Sequence, residues 1–491
     1  MPSTSVLDPE HCYRALHARD RRFDGLFFVG VESTGIYCRP VCPARTPQRA
    51  RCRFFDRAAT AEREGFRACL RCRPERAPGH APVDAGPRLV RSALSQIATG
   101  SLDRMSVDDL AGELGVTGRH LRRTLEAAVG VTPIELAQSR RLGLAKWLIQ
   151  DTQLPMTEVA FASGYASIRR FNAAVASHFG CAPSALRRTK PRPAPTRDFT
   201  LRLEARPPFA GQALLRFLHG RAIAGVEDVS DSHYRRWVSI EDAAGWIHVE
   251  LDEARPGIVV RIDVGLLPQV TEVVARLRAL FDLDARPDLI DEHLARDPAL
   301  AEHVARVPGL RVPGAFDVWE LAVRAILGQQ VSVRAATTVS GRLVQMFGER
   351  IGSSAAEGEA AAWKFPSARV LAARTPEQVC KIGLPLARAA TIVALAKRME
   401  SGAVDLSATA ELDTAVAALQ EVRGIGEWTA HYIAMRALRA PDIFLGGDLA
   451  ARKALGVTRT KDAEALSDRW RPWRAYALMH LWNSLSLSQG G

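Results

Sequence analysis

Four cysteines set the tightest constraint on how this chain folds. Three residues separate Cys38 from Cys42, and two separate Cys69 from Cys72. Close pairs of thiols at such spacing suit one tetrahedral zinc ion, which draws both ends of the intervening segment to a single point. Few apolar residues lie between the pairs, so metal binding is expected to supply part of the folding energy there. From spacing alone the plainest reading is a purely structural zinc. Cys12, Cys52, Cys181 and Cys380 have no paired spacing and read as ordinary residues.

At 491 residues the chain has room for about three domains, more if they are small. It has no long uncharged apolar run and no N-terminal signal pattern, which predicts a soluble cytoplasmic protein with no membrane partner. In such a compartment eight cysteines argue for metal or chemistry and against disulfides. Lys and Arg exceed Asp and Glu by 12, unevenly: residues 1–195 hold 30 against 18, the remainder 36 against 36. The basic part is where binding to a phosphate backbone is expected to be strongest.

The residues around the cysteines narrow the reading. T-G-I-Y-C-R-P-V-C-P-A-R over 34–45 and G-F-R-A-C-L-R-C-R-P-E over 65–75 resemble the N-terminal domain of the Ada-type adaptive-response proteins. The resemblance covers nearly all of residues 1–80. It implies that Cys38 accepts a methyl group from a DNA phosphotriester, with Cys42, Cys69 and Cys72 as co-ligands of one zinc ion. A zinc-bound thiol is deprotonated, so a nucleophile exists at neutral pH without a general base. Four thiolates outweigh the charge of one zinc ion by two, and methylating one of them halves that excess. Affinity for DNA phosphates should then rise, which makes the site a charge switch. Arg45 and Arg67, with Arg39, Arg71 and Arg73, surround the cysteines and are candidates for holding the backbone. Any single one of them reads more plainly as a solvated surface charge.

Residues 77–87 are rich in Pro, Gly and Ala and read as a linker. Helical periodicity follows. Val107, Leu110 and Leu114 share a face, Gly115 breaks the helix, and Leu121 and Leu125 begin another. The pattern recurs with Val159 and Phe161, a break at Gly164-Tyr165, then Ile168, Phe171 and Val175. Two such helix pairs suggest two helix-turn-helix units. G-Y-A-S-I-R-R-F-N and H-F-G-C-A-P-S-A-L-R in the second unit resemble the AraC-type regulator signature, over about residues 88–188. The second helix of each unit would enter the major groove of promoter DNA. Its candidate contacts are Thr117, Arg119, His120 and Arg122 in the first, and Ser167, Arg169 and Arg170 in the second. An activator of this kind implies RNA polymerase as a partner and a bacterial, nucleoid-associated location.

Residues 189–197 hold three prolines and read as a semi-rigid spacer. Alternating runs at Phe199-Leu201-Leu203, 234–240, 246–251 and 258–264 read as strands of a small antiparallel sheet, and 270–280 as a helix. From about Asp284 the pattern is helical, with a mobile Ala/Gly/Ser/Glu-rich loop expected over 348–362. Leu412, Val416 and Leu419 share one helix face, and a second helix is expected to start near Glu427 with Ile433 and Ala437 on one face. Between them Gly424 and Gly426 allow a tight turn, and the helix start behind it aims free N–H groups at a phosphate. Asp448 follows two glycines. Taken alone, this is a glycine-turned hairpin with a surface carboxylate.

More of the chain changes that. G-I-G-E-W-T-A before Asp448, R-A-I-L-G-Q-Q-V-S-V over 324–333 and W-R-P-W-R-A-Y-A-L-M-H-L-W over 470–482 resemble the helix-hairpin-helix base-excision DNA glycosylases. Within them the nearest likeness is the AlkA-type 3-methyladenine glycosylase II, over roughly 195–486. The resemblance implies that Asp448 is the catalytic carboxylate, stabilising an oxocarbenium or activating water. It implies that Trp428, Tyr432 and Trp482 receive a cationic alkylated purine flipped from damaged duplex DNA. For Tyr432, core packing is the competing reading. Position 428 is Trp where bifunctional relatives carry Lys, so a lyase step is not expected. No cysteine follows Cys380, which excludes the four-cysteine iron–sulfur loop of the endonuclease III type. Where the family places an apolar wedge, this chain has Gln330, an amide that fills a vacated stack less well but can hydrogen-bond the orphaned base. The P-C-H-R motif of Ada-type methyltransferase domains is absent, so repair of O6-methylguanine is not expected.

The expected fold is multidomain and mainly α with α+β parts. It comprises a small zinc domain (1–80), a double helix-turn-helix domain (88–190), a small antiparallel α+β subdomain (196–283) and an all-α helix-hairpin-helix glycosylase domain (284–487). Two functions compete: a methyl-sensing activator fused to an alkylpurine glycosylase, and a regulator whose glycosylase-like half only binds DNA. Asp448 and the three aromatic rings favour the first.

Overall fold

Short strands carry the first eighty residues into a sheet that exists to bring cysteines together. A computed structural model of the chain describes residues 8–81, 88–187, 197–351, 362–407 and 409–488. Most of each expected linker and of the loop over 348–362 lies outside the described residues. Packing divides the chain into two compact units: residues 1–207 with 254–275 and 283–285, and residues 208–253 with 276–282 and 286–491.

The first unit begins with α1 (Pro9–Ala18), β1 (Phe28–Val31), β2 (Ile36–Cys38), β3 (Cys52–Phe55), α2 (Ala58–Arg63) and β4 (Arg67–Ala68). The sheet order is β3-β1-β2-β4. β2 and β4 run parallel, with Ile36 opposite Arg67 and Tyr37 opposite Ala68. That register sets the next residues, Cys38 and Cys69, side by side, and the Cys69 N–H donates to the Tyr37 carbonyl at 3.0 Å.

The helical part of this unit comprises α3 (Arg88–Thr99), α4 (Val107–Glu113), α5 (Gly118–Val129), α6 (Pro133–Asp151), α7 (Met156–Ala162) and α8 (Ile168–Phe179). Val107, Leu110, Leu121 and Leu125 close one core, as their periodicity predicts, with Ile97 beside them and Leu114 partly buried against it. The second pair departs from expectation. Val159, Phe171 and Val175 are buried, but Phe161 is 58% exposed and Ile168 39%. Residues two apart on a helix do not share a face, so Phe161 cannot follow Val159 inward. Ile168 is the first residue of α8 and stands at its open end.

β5 (Asp198–Glu204), α9 (Gly211–His219), β6 (Glu227–Val229), β7 (His233–Ile240), β8 (Ala243–Leu251), β9 (Gly257–Asp263) and α10 (Val270–Leu280) come next. β5 pairs antiparallel with β9 inside the first unit, with Leu201 opposite Val260. The meander β6-β7-β8 belongs to the second unit, and β7 alternates strictly: Tyr234 and Val238 are buried, as are Ile247 and Val249 of β8. Four of these strands and α10 fall where alternation and periodicity place them. β6 and α9 have no counterpart in the sequence reading.

The remainder of the second unit is helical: α11 (Pro287–Leu294), α12 (Pro298–Arg306), α13 (Val318–Leu327), α14 (Val333–Phe347), α15 (Ala368–Ala372), α16 (Pro376–Cys380), α17 (Leu386–Glu400), α18 (Leu412–Gln420), α19 (Glu427–Ala437), α20 (Leu449–Ala454), α21 (Thr460–Ser467) and α22 (Arg474–Ser488). Among the described residues its one departure from helix is a two-stranded ribbon, β10 (Glu349–Ile351) with β11 (Ala362–Lys364). Ile326, Leu395, Leu419, Ala430 and Ile433 meet in its core, which seats α13 and α18 against α19. No helix among the described residues is long and apolar enough to cross a membrane.

Candidate functional site

The structure converges residues at two places, one in each unit. In the first, the Sγ atoms of Cys38, Cys42, Cys69 and Cys72 all lie within 4.8 Å of one another. Metal–sulfur bonds of about 2.3 Å at tetrahedral angles hold sulfurs somewhat under 4 Å apart, so a small contraction would close the cluster on one ion. An all-thiolate donor set of this size fits zinc. The N–H of Arg39 points at Cys72 Sγ at 3.4 Å and that of Arg71 at Cys69 Sγ at 3.3 Å, so two backbone donors face the sulfur charge. Cys42, Cys69 and Cys72 are buried, whereas Cys38 is partly exposed. Cys12 and Cys52 sit in a separate apolar cluster, where burial pushes the Cys12 thiol up to about 11. They are packing residues, as their unpaired spacing suggested.

The arginines around the cluster divide into two groups. Arg45 and Arg71 are exposed and Arg67 is half-buried. Arg39 is 2% exposed and therefore unavailable to a backbone phosphate. Its guanidinium pairs with Asp24 and, at 2.5 Å, with Glu204 of β5, and it donates to the Cys72 carbonyl at 3.2 Å. Behind this pair, fully buried Arg206 donates to the carbonyls of Asp24 at 3.0 Å, Gly79 at 2.6 Å and Asp284 at 2.8 Å. Arg73 is likewise committed, to Glu75 at 2.9 Å and to Asp151 of α6. The buried ammonium of Lys146, also on α6, donates to the Cys69 carbonyl at 2.6 Å and pairs with Glu75 at 2.7 Å. The cysteine loop is thus tied directly to the long helix of the helix-turn-helix part.

The two candidate groove helices are capped alike and each carries an arginine two residues after its cap, Arg119 and Arg169. Thr117 caps α5 by accepting from the His120 N–H, and Ser167 caps α8 by accepting from the Arg170 N–H, each at 3.3 Å. These hydroxyls therefore serve the helix starts. Arg119, His120 and Arg122 on α5 and Arg169 and Arg170 on α8 are exposed. Arg122 makes an exposed pair with Asp108 at 3.2 Å, the sort of pair a phosphate displaces at little cost.

In the second unit the glycine turn is held from behind. Gly424 has φ +97°, and a Cβ there would lie 2.1 Å from Thr391 Oγ1. Thr391 donates to the Arg423 carbonyl at 2.9 Å, and Gln329 donates to the Gly424 carbonyl at 2.9 Å and to Thr429 at 3.0 Å. Gly426 is different: it starts α19 at φ −85°, with nothing within 4 Å of an added Cβ. No contact within the described chain requires glycine at 426.

Asp448 caps α20, and its Oδ1 accepts from the Ala451 N–H at 2.8 Å and from Trp482 Nε1 at 3.0 Å. Trp428 and Tyr432 lie parallel, with centroids 5.2 Å apart and planes at 5°. Tyr432 and Trp482 are 6.4 Å apart and inclined at 48°. A ring inserted between two others needs two contacts of about 3.5 Å. Trp428 and Tyr432 already touch, so a guest meets the outer faces of this set. All three rings are half-buried. Gln330 is exposed at φ +55° between α13 and α14, next to exposed Val331. Sequence reasoning missed Gln329, which braces the turn, and Arg436, whose Nη1 donates to the Tyr432 hydroxyl at 2.8 Å. The spacing of four residues between Tyr432 and Arg436 was the available signal.

Comparison with known proteins finds four matching parts along the chain. Family profiles match the metal-binding domain of Ada over residues 11–75, a helix-turn-helix domain over 110–189, the AlkA N-terminal domain over 200–317, and the HhH-GPD superfamily of base excision DNA repair proteins over 323–469. The chain is 41% identical, over 97% of both lengths, to a probable bifunctional transcriptional activator/DNA repair enzyme AlkA of Mycobacterium tuberculosis. It is 35% identical to DNA-3-methyladenine glycosylase 2 of Escherichia coli, over 57% of this chain and 95% of that one. The 3-methyladenine DNA glycosylase of Archaeoglobus fulgidus shares the fold over 58% of this chain and 98% of its own, with TM-score 0.51 at 20% identity. With zinc-binding, helix-turn-helix and glycosylase parts in one order along almost the whole length, the chain belongs to the family of bifunctional transcriptional activator/DNA repair enzymes that joins an Ada-type regulator to an AlkA-type DNA glycosylase.

Proposed function

We propose that the second unit hydrolyses the N-glycosidic bond of alkylated purines, of the 3-methyladenine and 7-methylguanine type, with Asp448 as the catalytic carboxylate. The observation that carries this reading is the meeting of Trp428 and Tyr432 of α19, Trp482 of α22 and Asp448 at the start of α20. Among the described residues both hydrogen bonds to Asp448 fall on Oδ1, which leaves Oδ2 to face a sugar or a water. Water adds to the anomeric carbon and gives up a proton to Asp448 or to solvent as the carbon–nitrogen bond breaks, and the bond's electron pair stays with the base. That pair neutralises an alkylated purine, so little acid catalysis is needed. The developing positive charge is on the sugar, where a fixed carboxylate is worth most. The aromatic faces favour a guest that is itself cationic. Gly424 and Gly426 present the start of α19 to a backbone phosphate, and Gln330 stands where a residue would enter the vacated stack.

For the first unit we propose that Cys38 takes the methyl group of a DNA methylphosphotriester. Zinc, when bound, would keep the four thiols deprotonated at neutral pH. Cys38 sulfur attacks the methyl carbon, the carbon–oxygen bond breaks, and the phosphodiester leaves with the electron pair and a negative charge. Partial exposure of Cys38, against burial of its three partners, supports its assignment as the acceptor. Arg45 and Arg67 then steady the strand near the cluster. Arg119, Arg122, Arg169 and Arg170 hold promoter DNA, and the bound regulator engages RNA polymerase.

Base release from methylated duplex DNA by the purified full chain tests the first proposal. Release that survives loss of Asp448 contradicts the role given to it. Tight DNA binding without release would leave a regulator with a DNA-binding appendage.

A further inference from the structure

Behind the stacked rings lies an arginine that excision itself does not use. Arg436 is 7% exposed and follows Tyr432 by one turn of α19. Each arm of its guanidinium is committed. Nε donates to the Pro313 carbonyl at 2.9 Å, Nη2 to the Gly314 carbonyl at 2.8 Å, and Nη1 to the Tyr432 hydroxyl at 2.8 Å. The ring of Phe217 lies under it at 5.2 Å, and the guanidinium of Arg221 lies 3.7 Å from the same ring. A rigid fork nailed to two backbone carbonyls thus grips one phenol oxygen.

The need for such a grip follows from the geometry in front. The terminal torsion of a tyrosine is broad, and a ring stacked on one neighbour can still pivot. Tyr432 must stay parallel to Trp428 while keeping its inclination to Trp482, because those two angles define the surface a guest meets. We propose that Arg436 is a positioning residue: by fixing the Tyr432 hydroxyl it sets the tilt of the ring and so the shape of the aromatic surface that receives the base. This rests on the excision reading above. Burial works to weaken the Tyr432 phenol as an acid, but Arg436 and Arg221 outweigh it and the net shift is downward. The chain has six tyrosines, and burial holds four others, Tyr37, Tyr165, Tyr234 and Tyr476, above the ordinary range. Tyr432 is shifted the opposite way from these four, and a Tyr432→Phe variant assigns its step in a titration.

The test compares full-length wild type, Arg436→Met, Arg436→Lys and Tyr432→Phe. Two readouts are taken: single-turnover release of 7-methylguanine at saturating and limiting DNA, and ultraviolet titration of tyrosinate. Both Arg436 variants should slow release at saturating DNA by on the order of tenfold or more, with half-saturation little changed, because misplacement affects the reacting complex and leaves backbone binding alone. Lysine keeps the charge but cannot hold three acceptors, so it should not rescue. An early tyrosinate step present in wild type, missing in Tyr432→Phe and moved to higher pH in Arg436→Met is the expected signature. Should Arg436→Met fail to fold, Tyr432→Phe decides, since it removes only the gripped oxygen and should also slow release. Full-rate release by Tyr432→Phe, or by a folded Arg436→Met, overturns the proposal. Absence of release by wild type defeats the excision reading instead, and the titration then decides the grip: an early step that Arg436→Met leaves in place overturns it.

Discussion

Trp482 Nε1 donates to Asp448 Oδ1 at 3.0 Å, joining residues 34 apart in the chain. The same oxygen accepts the Ala451 N–H at the head of α20. One carboxylate oxygen therefore carries both a fold contact and an aromatic contact, and the choice of substitution matters.

Asp448→Asn retains a side-chain oxygen for both bonds and removes the charge. We expect base release to fall by at least about a hundredfold, while duplex affinity and thermal stability stay close to wild type. Asp448→Ala should lose the helix cap as well, at a cost of about 1 kcal/mol. Release assays beside calorimetry check both, and near-normal release by the Asn variant would sink the assignment.

Metal content gives an independent check on the cysteines. The full chain should carry one zinc ion, and Cys42→Ser or Cys72→Ser should lower the content sharply. Chelation should unmake the first eighty residues, whose sheet is built of strands two to four residues long. A chelated protein whose near-ultraviolet dichroism and proteolysis pattern do not change would contradict this.

Incubation with methylphosphotriester DNA should add one methyl group irreversibly at Cys38, because a thioether is not a nucleophile. The methylated form should bind its promoter more tightly, and the gain should shrink as salt rises. Cys38→Ser should accept nothing, whereas Asp448→Asn should accept normally, since the two residues lie in different compact units. Peptide mass spectrometry and promoter titration at two salt concentrations read these outcomes. Transfer to another cysteine refutes the residue, and transfer without a change in affinity at low salt refutes the charge switch.

His480, on the same helix as Trp482, is 1% exposed, and burial first and nearby His303 second hold its pKa down to about 4. An unfolded histidine takes a proton near pH 6.5, well before this one does. The unfolded state therefore binds more protons between those values, and stability falls as pH drops through the window. The loss is bounded at about 3 kcal/mol. Thermal unfolding from pH 7 to pH 4 should fall less steeply for His480→Leu than for wild type. Parallel curves would show that His480 titrates normally.

Much of this was legible beforehand, and the parts that were not share a cause. Local spacing announced the cysteine pairs, both helix pairs and the strands from 233 to 251, because each is a pattern within a dozen residues. The strands of the zinc domain are too short to show alternation, and the parallel pairing of β2 with β4 is set by residues thirty positions apart. The same holds for the buried arginines. Arg39 stands among other arginines around the cysteines, and no count of charges distinguishes it from exposed Arg45. Only the fold shows that one is a core residue and the other a surface one.

Arg39 also bears on how such a chain could have been inherited. The proline-rich spacer before residue 198 looks like a seam at which two genes were joined and could part again. Packing does not respect it. Glu204, beyond the seam, completes the buried pair of Arg39 and Asp24, and Arg206 holds the carbonyls behind them. A break at the spacer would strip both away, uncovering the Arg39–Asp24 pair and removing the hydrogen bonds made to it and behind it from beyond the seam. Lineages in which the halves part should therefore show change on both sides of the seam at once, with Arg39 lost wherever Glu204 is lost.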